Sequence, residues 1–130
     1  MELGILLANV SPDDCRALES MLADSHWVLV VASDLATGVR MLERIEFPVV
    51  LCERDGPNQE WQQTVRTLAA ARSTACVILL SDVSDPYLWN EVVECGGFDV
   101  LPRPLDRERL MAALDFAYTH WKTAWPARVS

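Results

Sequence analysis

The stretch Val49–Pro57, VVLCERDGP, begins as hydrocarbon and ends in charge. Four residues that favour burial run into Glu53, Arg54 and Asp55, and Gly56-Pro57 then turns the chain. A short apolar run closed by a turn reads as a strand covered on both faces. Glu53 follows the last apolar residue of that run, so a carboxylate is delivered at the strand's tip.

Working outward, the same kind of run recurs. Residues 3–8 (LGILLA), 27–31 (WVLVV), 75–80 (ACVILL) and 98–101 (FDVL) read as further strands around PVVLC at 48–52. Helical spacing fills the gaps. Residues 11–24 carry Cys15, Leu18, Met21 and Leu22, with Ser11 as N-cap, Pro12 at the first helical position, and Asp13 and Asp14 in the first turn facing the helix dipole. The second helix is capped by Ser33 or Asp34 and sets Leu35, Val39, Leu42 and Ile45 on one face. A third helix spans 60–72, and a fourth, 87–95, ends at Gly96-Gly97. A long fifth occupies 106–125 after the breaker Pro102-Arg103-Pro104. Five apolar strands alternating with five helices predict an α/β, three-layer, doubly wound (βα)5 flavodoxin-like domain. Right-handed crossovers place any site at the carboxyl ends of the strands. We find no internal repeat.

The bulk properties exclude several classes. The 130 residues suit one domain, and 51% hydrophobic content is too high for a disordered chain. A net charge of -8 disfavours direct nucleic-acid binding. No apolar run reaches the roughly 20 residues of a membrane span, and MELGILLANV lacks a basic start and cleavage site, so a cytoplasmic location is expected. Cys15, Cys52, Cys76 and Cys95 are widely spaced and read as reduced thiols, and His26 and His120 accompany no ligand cluster. No glycine-rich phosphate loop occurs in ANVSPDD after the first strand, against nucleotide binding.

The segments ILLANVSPDD, PVVLCERDGPNQEW, VILLSD and GGFDVLPRPL carry a resemblance that covers essentially the whole chain. Together they resemble the receiver domain of bacterial response regulators (CheY-like), which implies a parallel sheet of order 2-1-3-4-5. Members of that family accept a phosphoryl group on an aspartate at the tip of strand three. A magnesium ion there is held partly by an acidic pair after strand one, a strand-five lysine neutralises charge, and a Ser or Thr after strand four moves toward the phosphate.

Carried onto this chain, the resemblance puts Glu53 in place of the phosphoacceptor and Asn9 and Val10 in place of the acidic pair. Ser81 becomes the hydroxyl, Arg103 replaces the lysine, and Val100 replaces a switch aromatic. Asp55 falls where a backbone carbonyl is offered, its side chain expected in solvent. Asp82 stands beside the hydroxyl where a small residue is usual, and the Arg103-Pro104 peptide is expected to be cis at Pro104. Valine has no ligand atom and asparagine no charge, while Mg²⁺ demands octahedral oxygen geometry, so metal binding should be weak or absent. Asp13 and Asp14 are the neighbouring acids that could substitute, but their place in the first turn of the helix already accounts for them. Glu53 also reaches about 1.5 Å further than an aspartate, enough to spoil near-attack geometry.

The resemblance therefore implies an atypical, pseudo-receiver, phosphorylation-independent signalling module that is no enzyme and binds no cofactor. Its partners would be proteins, such as a histidine kinase or an output domain. Glu53 and Arg103 either form a permanent charge pair that biases the switch, or Glu53 points to water in a decayed site. Tyr87 and Trp89 on the fourth helix, with Met111, Tyr118 and Trp125 on the fifth, are candidates for a homodimer face formed with the fifth strand, while Leu110, Leu114, Ala117 and Trp121 suit the sheet. The alternative for the second stripe is a widened core contact. Rival readings are a receiver phosphorylated at a non-standard site and a small-ligand flavodoxin-like domain. Residues 1–125 read as the domain and 126–130 as a tail or the start of a linker.

Overall fold

The computed structural model describes residues 3–54, 60–83 and 85–123. Five strands, β1 (Leu3–Ala8), β2 (Trp27–Ala32), β3 (Val49–Glu53), β4 (Cys76–Ser81) and β5 (Asp99–Pro102), pair in parallel in the order β2-β1-β3-β4-β5. They alternate with α1 (Pro12–Met21), α2 (Leu35–Arg44), α3 (Trp61–Ala71), α4 (Pro86–Glu94) and α5 (Arg107–Thr123). This is the expected flavodoxin-like order, with the central strands β3 and β4 buried throughout.

Side-chain alternation splits the core into two layers. Leu6, Val50, Cys52, Val77 and Leu79 pack with Leu42, Val65, Leu68 and Val92 on the face covered by α2, α3 and α4. Ile5, Leu7, Val49, Leu51, Ile78 and Leu80 pack with Leu18, Leu110 and Leu114 on the face covered by α1 and α5. Edge strand β2 departs from the fully covered pattern: Val28 and Val31 are exposed.

Local chemistry sets the helix ends. Ser11, Asp34 and Asp85 cap α1, α2 and α4, each side chain accepting a backbone N–H three residues on. Helix α4 closes where Gly97 N–H donates to Val92 C=O at 2.8 Å and Gly96 N–H to Val93 C=O at 3.0 Å. Gly96 takes the left-handed φ of 95° that this ending needs. A Cβ on Gly97 would lie 2.5 Å from Val92 Cγ1.

Two helical expectations are corrected. Helix α2 stops at Arg44, so Ile45 leaves its apolar face as an exposed, extended C-cap. Trp121 is only half-buried, because its indole N–H turns to Glu46 Oε2 at 3.1 Å instead of entering the sheet contact. Helix α5 begins one residue after the expected start, and its expected end at Trp125 lies outside the described residues.

Candidate functional site

Register brings three strand tips together. Glu53 pairs with Leu80 and Ser81 with Pro102, and the ladder continues past the strands through Arg54 N–H to Leu80 C=O (2.8 Å) and Arg103 N–H to Ser81 C=O (2.9 Å). Parity then sorts the side chains. Glu53 continues the Val49, Leu51 series and Arg103 the Leu101 series, so both lean toward the α1 side. Ser81 continues Val77 and Leu79 toward the α3 and α4 side.

On the α1 side a compact ion network forms. Arg103 Nη2 donates to Glu53 Oε2 at 2.6 Å and to Asp14 Oδ2 at 2.6 Å, and Nε donates to the same Asp14 oxygen at 3.0 Å. Nη1 reaches Asp82 Oδ1 at 3.4 Å. The side chains of Arg103, Asp14 and Glu53 are 18%, 15% and 10% exposed, whereas that of Asp82 is 64% exposed. Glu53 and Arg103 are paired, and Glu53 does not point freely into water.

Asp14 is the residue that sequence reasoning weighs for this site and sets aside. Ser11 and Pro12 accounted for the helix start, and Asp14 was assigned to the first turn with Asp13. Asp13 does stay outside, paired with Arg16 on the surface. Asp14 instead lies one turn before the buried Leu18, so the α1 stripe that enters the core also carries its carboxylate into the pocket. That i, i+4 relation was the available signal.

The electrostatics of the pair are asymmetric. Burial pushes the Glu53 carboxyl above its ordinary value; Arg103 pulls it down, the Asp14 charge pushes it up, and a hydrogen bond from the Ser11 backbone N–H lowers it again. For Arg103, burial works against the charge. The hydrogen bonds it donates to Asp14 and the charges of Asp14, Glu53 and Asp82 outweigh it, so the guanidinium is held above its ordinary value. Both values are thus raised, which favours the charged form of Arg103 and disfavours that of Glu53: burial opposes both charges, and the surrounding carboxylates outweigh it only for Arg103.

The remaining expected residues are placed as follows. Asn9 is exposed and takes φ 64° in the turn from β1 to α1, a conformation asparagine tolerates. Val10 is half-buried against the α1 and α5 layer, a core contact. The Ser81 hydroxyl is buried and accepts the Val83 backbone N–H at 3.0 Å, closing its own turn. Val100 packs against the opposite layer. The Arg103–Pro104 peptide is cis. Asp55 lies outside the described residues.

The interface candidates separate. Met111 and Tyr118 are half-buried against the α1 and α5 layer, with Tyr118 set edge-on to Trp27 at 6.3 Å. Trp125 lies outside the described residues. Tyr87 is 80% and Trp89 47% exposed on α4, at the other side of the molecule. The exposed aromatic of α5 is Phe116, 65% exposed and 5.4 Å from Phe98, which the seven-residue stripe did not include.

No protein-family model matches the chain. The transcriptional regulatory protein ZraR of Escherichia coli K12 is 22% identical over 118 residues, covering 91% of this chain and 27% of that protein. The chain thus spans about a quarter of the length of the curated relative it matches. Among solved structures, the signal receiver domain of an HD domain-containing protein from Pseudomonas fluorescens Pf-5 superposes with a TM-score of 0.80 at 21% identity, covering 95% of this chain and 99% of that one. The receiver domain of a sensor histidine kinase from Pseudomonas aeruginosa PAO1, with a magnesium ion coordinated in its active-site cleft, gives 0.72 at 21% identity, covering 88% and 95%.

A magnesium ion does not fit the side chains of this site. Val10 is committed to the core, Asn9 is neutral and exposed, and a guanidinium nitrogen already contacts both inner carboxylates. Among the described residues no group of three or more His, Cys, Asp or Glu could hold a metal ion. None of the described helices is long and apolar enough to cross a membrane. The chain has the fold of a response-regulator receiver domain, with the carboxylate at the tip of its third strand bound by a guanidinium from the fifth.

Proposed function

We propose that this chain is an atypical receiver module of a two-component or phosphorelay system, set by a resident charge pair instead of by phosphorylation. The observation that carries the reading is the 2.6 Å contact between Glu53 and Arg103 at the site-forming edge, with both side chains largely buried. A phosphoryl group needs an aspartate at that tip and a cation free to gather its oxygens. Here the carboxylate is one methylene longer and its partner cation is already engaged.

With no chemistry of its own, the module works by protein contacts in the cytoplasm, on a histidine kinase or an output domain. Tyr87, Trp89 and Phe116 offer exposed apolar area on α4 and α5 for such a partner or for a second copy. Intact-mass measurement after incubation with acetyl phosphate and Mg²⁺ tests the reading. The expected result is an unmodified chain; a phosphoryl adduct mapped to Glu53 or a nearby aspartate would overturn it.

A further inference from the structure

Arg103 does more than meet Glu53. One nitrogen, Nη2, stands 2.6 Å from a carboxylate of α1 and 2.6 Å from a carboxylate of β3, and Asp82 approaches a second nitrogen at 3.4 Å. Three carboxylates thus stand around one guanidinium, two of them largely buried and Asp82 mostly in solvent. Two anions sharing one donor atom is the arrangement a bridging cation imposes, and without it Asp14 and Glu53 would repel across a poorly hydrated gap.

We propose that the Arg103 guanidinium is the resident cation of this pocket, filling the space between Asp14 and Glu53 that a divalent ion would need, and that the acids become a divalent-cation site only when it is removed. This rests on the reading that the Glu53–Arg103 pair is permanent. Arginine suits the role because its charge does not titrate, it sheds water more readily than an ammonium, and its planar fork reaches several oxygens at once. Nε and Nη2 both meet Asp14, and the backbone N–H is fixed to Ser81 C=O, so the fork is anchored at its base and its tip. Asp14 is then a positioning residue as much as a counter-charge: it aims the guanidinium at Glu53.

Mn²⁺ titration followed by electron paramagnetic resonance tests this on the folded chain. Wild type and Arg16→Ala, which uncovers the surface carboxylate of Asp13, should bind equally weakly. Arg103→Ala should bind at least about tenfold more tightly, because a cation of like charge has left the site. Adding Asp14→Asn should abolish that gain. Wild type binding as tightly as Arg103→Ala, or a gain that survives Asp14→Asn, would overturn the proposal.

Should circular dichroism show Arg103→Ala unfolded, wild type and Asp14→Asn decide alone. Equal weak binding supports exclusion, and a wild-type affinity that Asp14→Asn lowers refutes it. Tight Mn²⁺ binding by wild type without a phosphoryl adduct sinks only this inference. An adduct sinks the earlier reading whichever way the titration falls.

Discussion

The two ends of the sheet each carry an ion network, and they are built on different principles. At the amino ends of the strands, Arg72 joins the termini of α2 and α3 through Leu42 C=O (2.7 Å) and Glu46 (3.4 Å), and Glu46 also receives the Trp121 indole of α5. Arg72 and Glu46 are 27% and 35% exposed. At the carboxyl ends, Arg103 gathers Asp14 and Glu53 behind less solvent, with Asp82 at the exposed rim. The first network is the wetter; the second holds two carboxylates on one guanidinium in a nearly dry pocket. Exposed pairs add little to stability, and buried ones often fail to repay their desolvation. The carboxyl-end network is therefore best understood as fixing a conformation, and the amino-end network as a modest tie between helix termini.

Removing the central cation should break that contrast most severely. Arg103→Ala strands two largely buried carboxylates, for an expected loss of about 3 kcal/mol and a fall in Tm of about 10 °C. A calorimetric fall no larger than that of the amino-end variant would mean the two networks are alike. Arg72→Ala, the counterpart, gives up one hydrogen bond and a solvent-screened pair. It should cost about 1 kcal/mol by urea denaturation.

Glu53→Gln sharpens the comparison with the smallest effect. Because the Glu53 carboxyl is raised in the fold, its ionised form is disfavoured there, so the amide should leave Tm at neutral pH unchanged or up by about 2 °C. The sign follows from linkage. A folded value above the unfolded one gives a contribution fully present below the ordinary glutamate value of 4.5 and lost as pH rises through the raised value. Melting curves between about pH 4 and pH 7 should show wild type gaining on Glu53→Gln as pH falls. The opposite slope would show that Arg103 outweighs burial.

Most of the architecture was legible because β3 and β4 are continuous apolar runs and α1, α2 and α4 carry strong caps at Ser11, Asp34 and Asp85. Glu53 and Arg103 could be placed at one edge because each directly follows or punctuates an apolar strand. Asp14 escaped because a helix-start explanation was already sufficient, and one sufficient role conceals a second. The partial burial of the α5 stripe was hidden for a different reason. Whether Met111 and Tyr118 meet solvent depends on how far α1 and the start of β2 extend beside them, and Trp27 supplies that cover from a distant part of the chain.

The alternation along β3 has a consequence for how this pocket can vary. Val49, Leu51 and Glu53 share a side, and Val50 and Cys52 take the other. Losing or gaining one residue inside the strand would send the tip carboxylate across the sheet toward α3, beyond the reach of Arg103, and would bring hydrocarbon to face Asp14. Length changes in this segment are tolerable only in pairs.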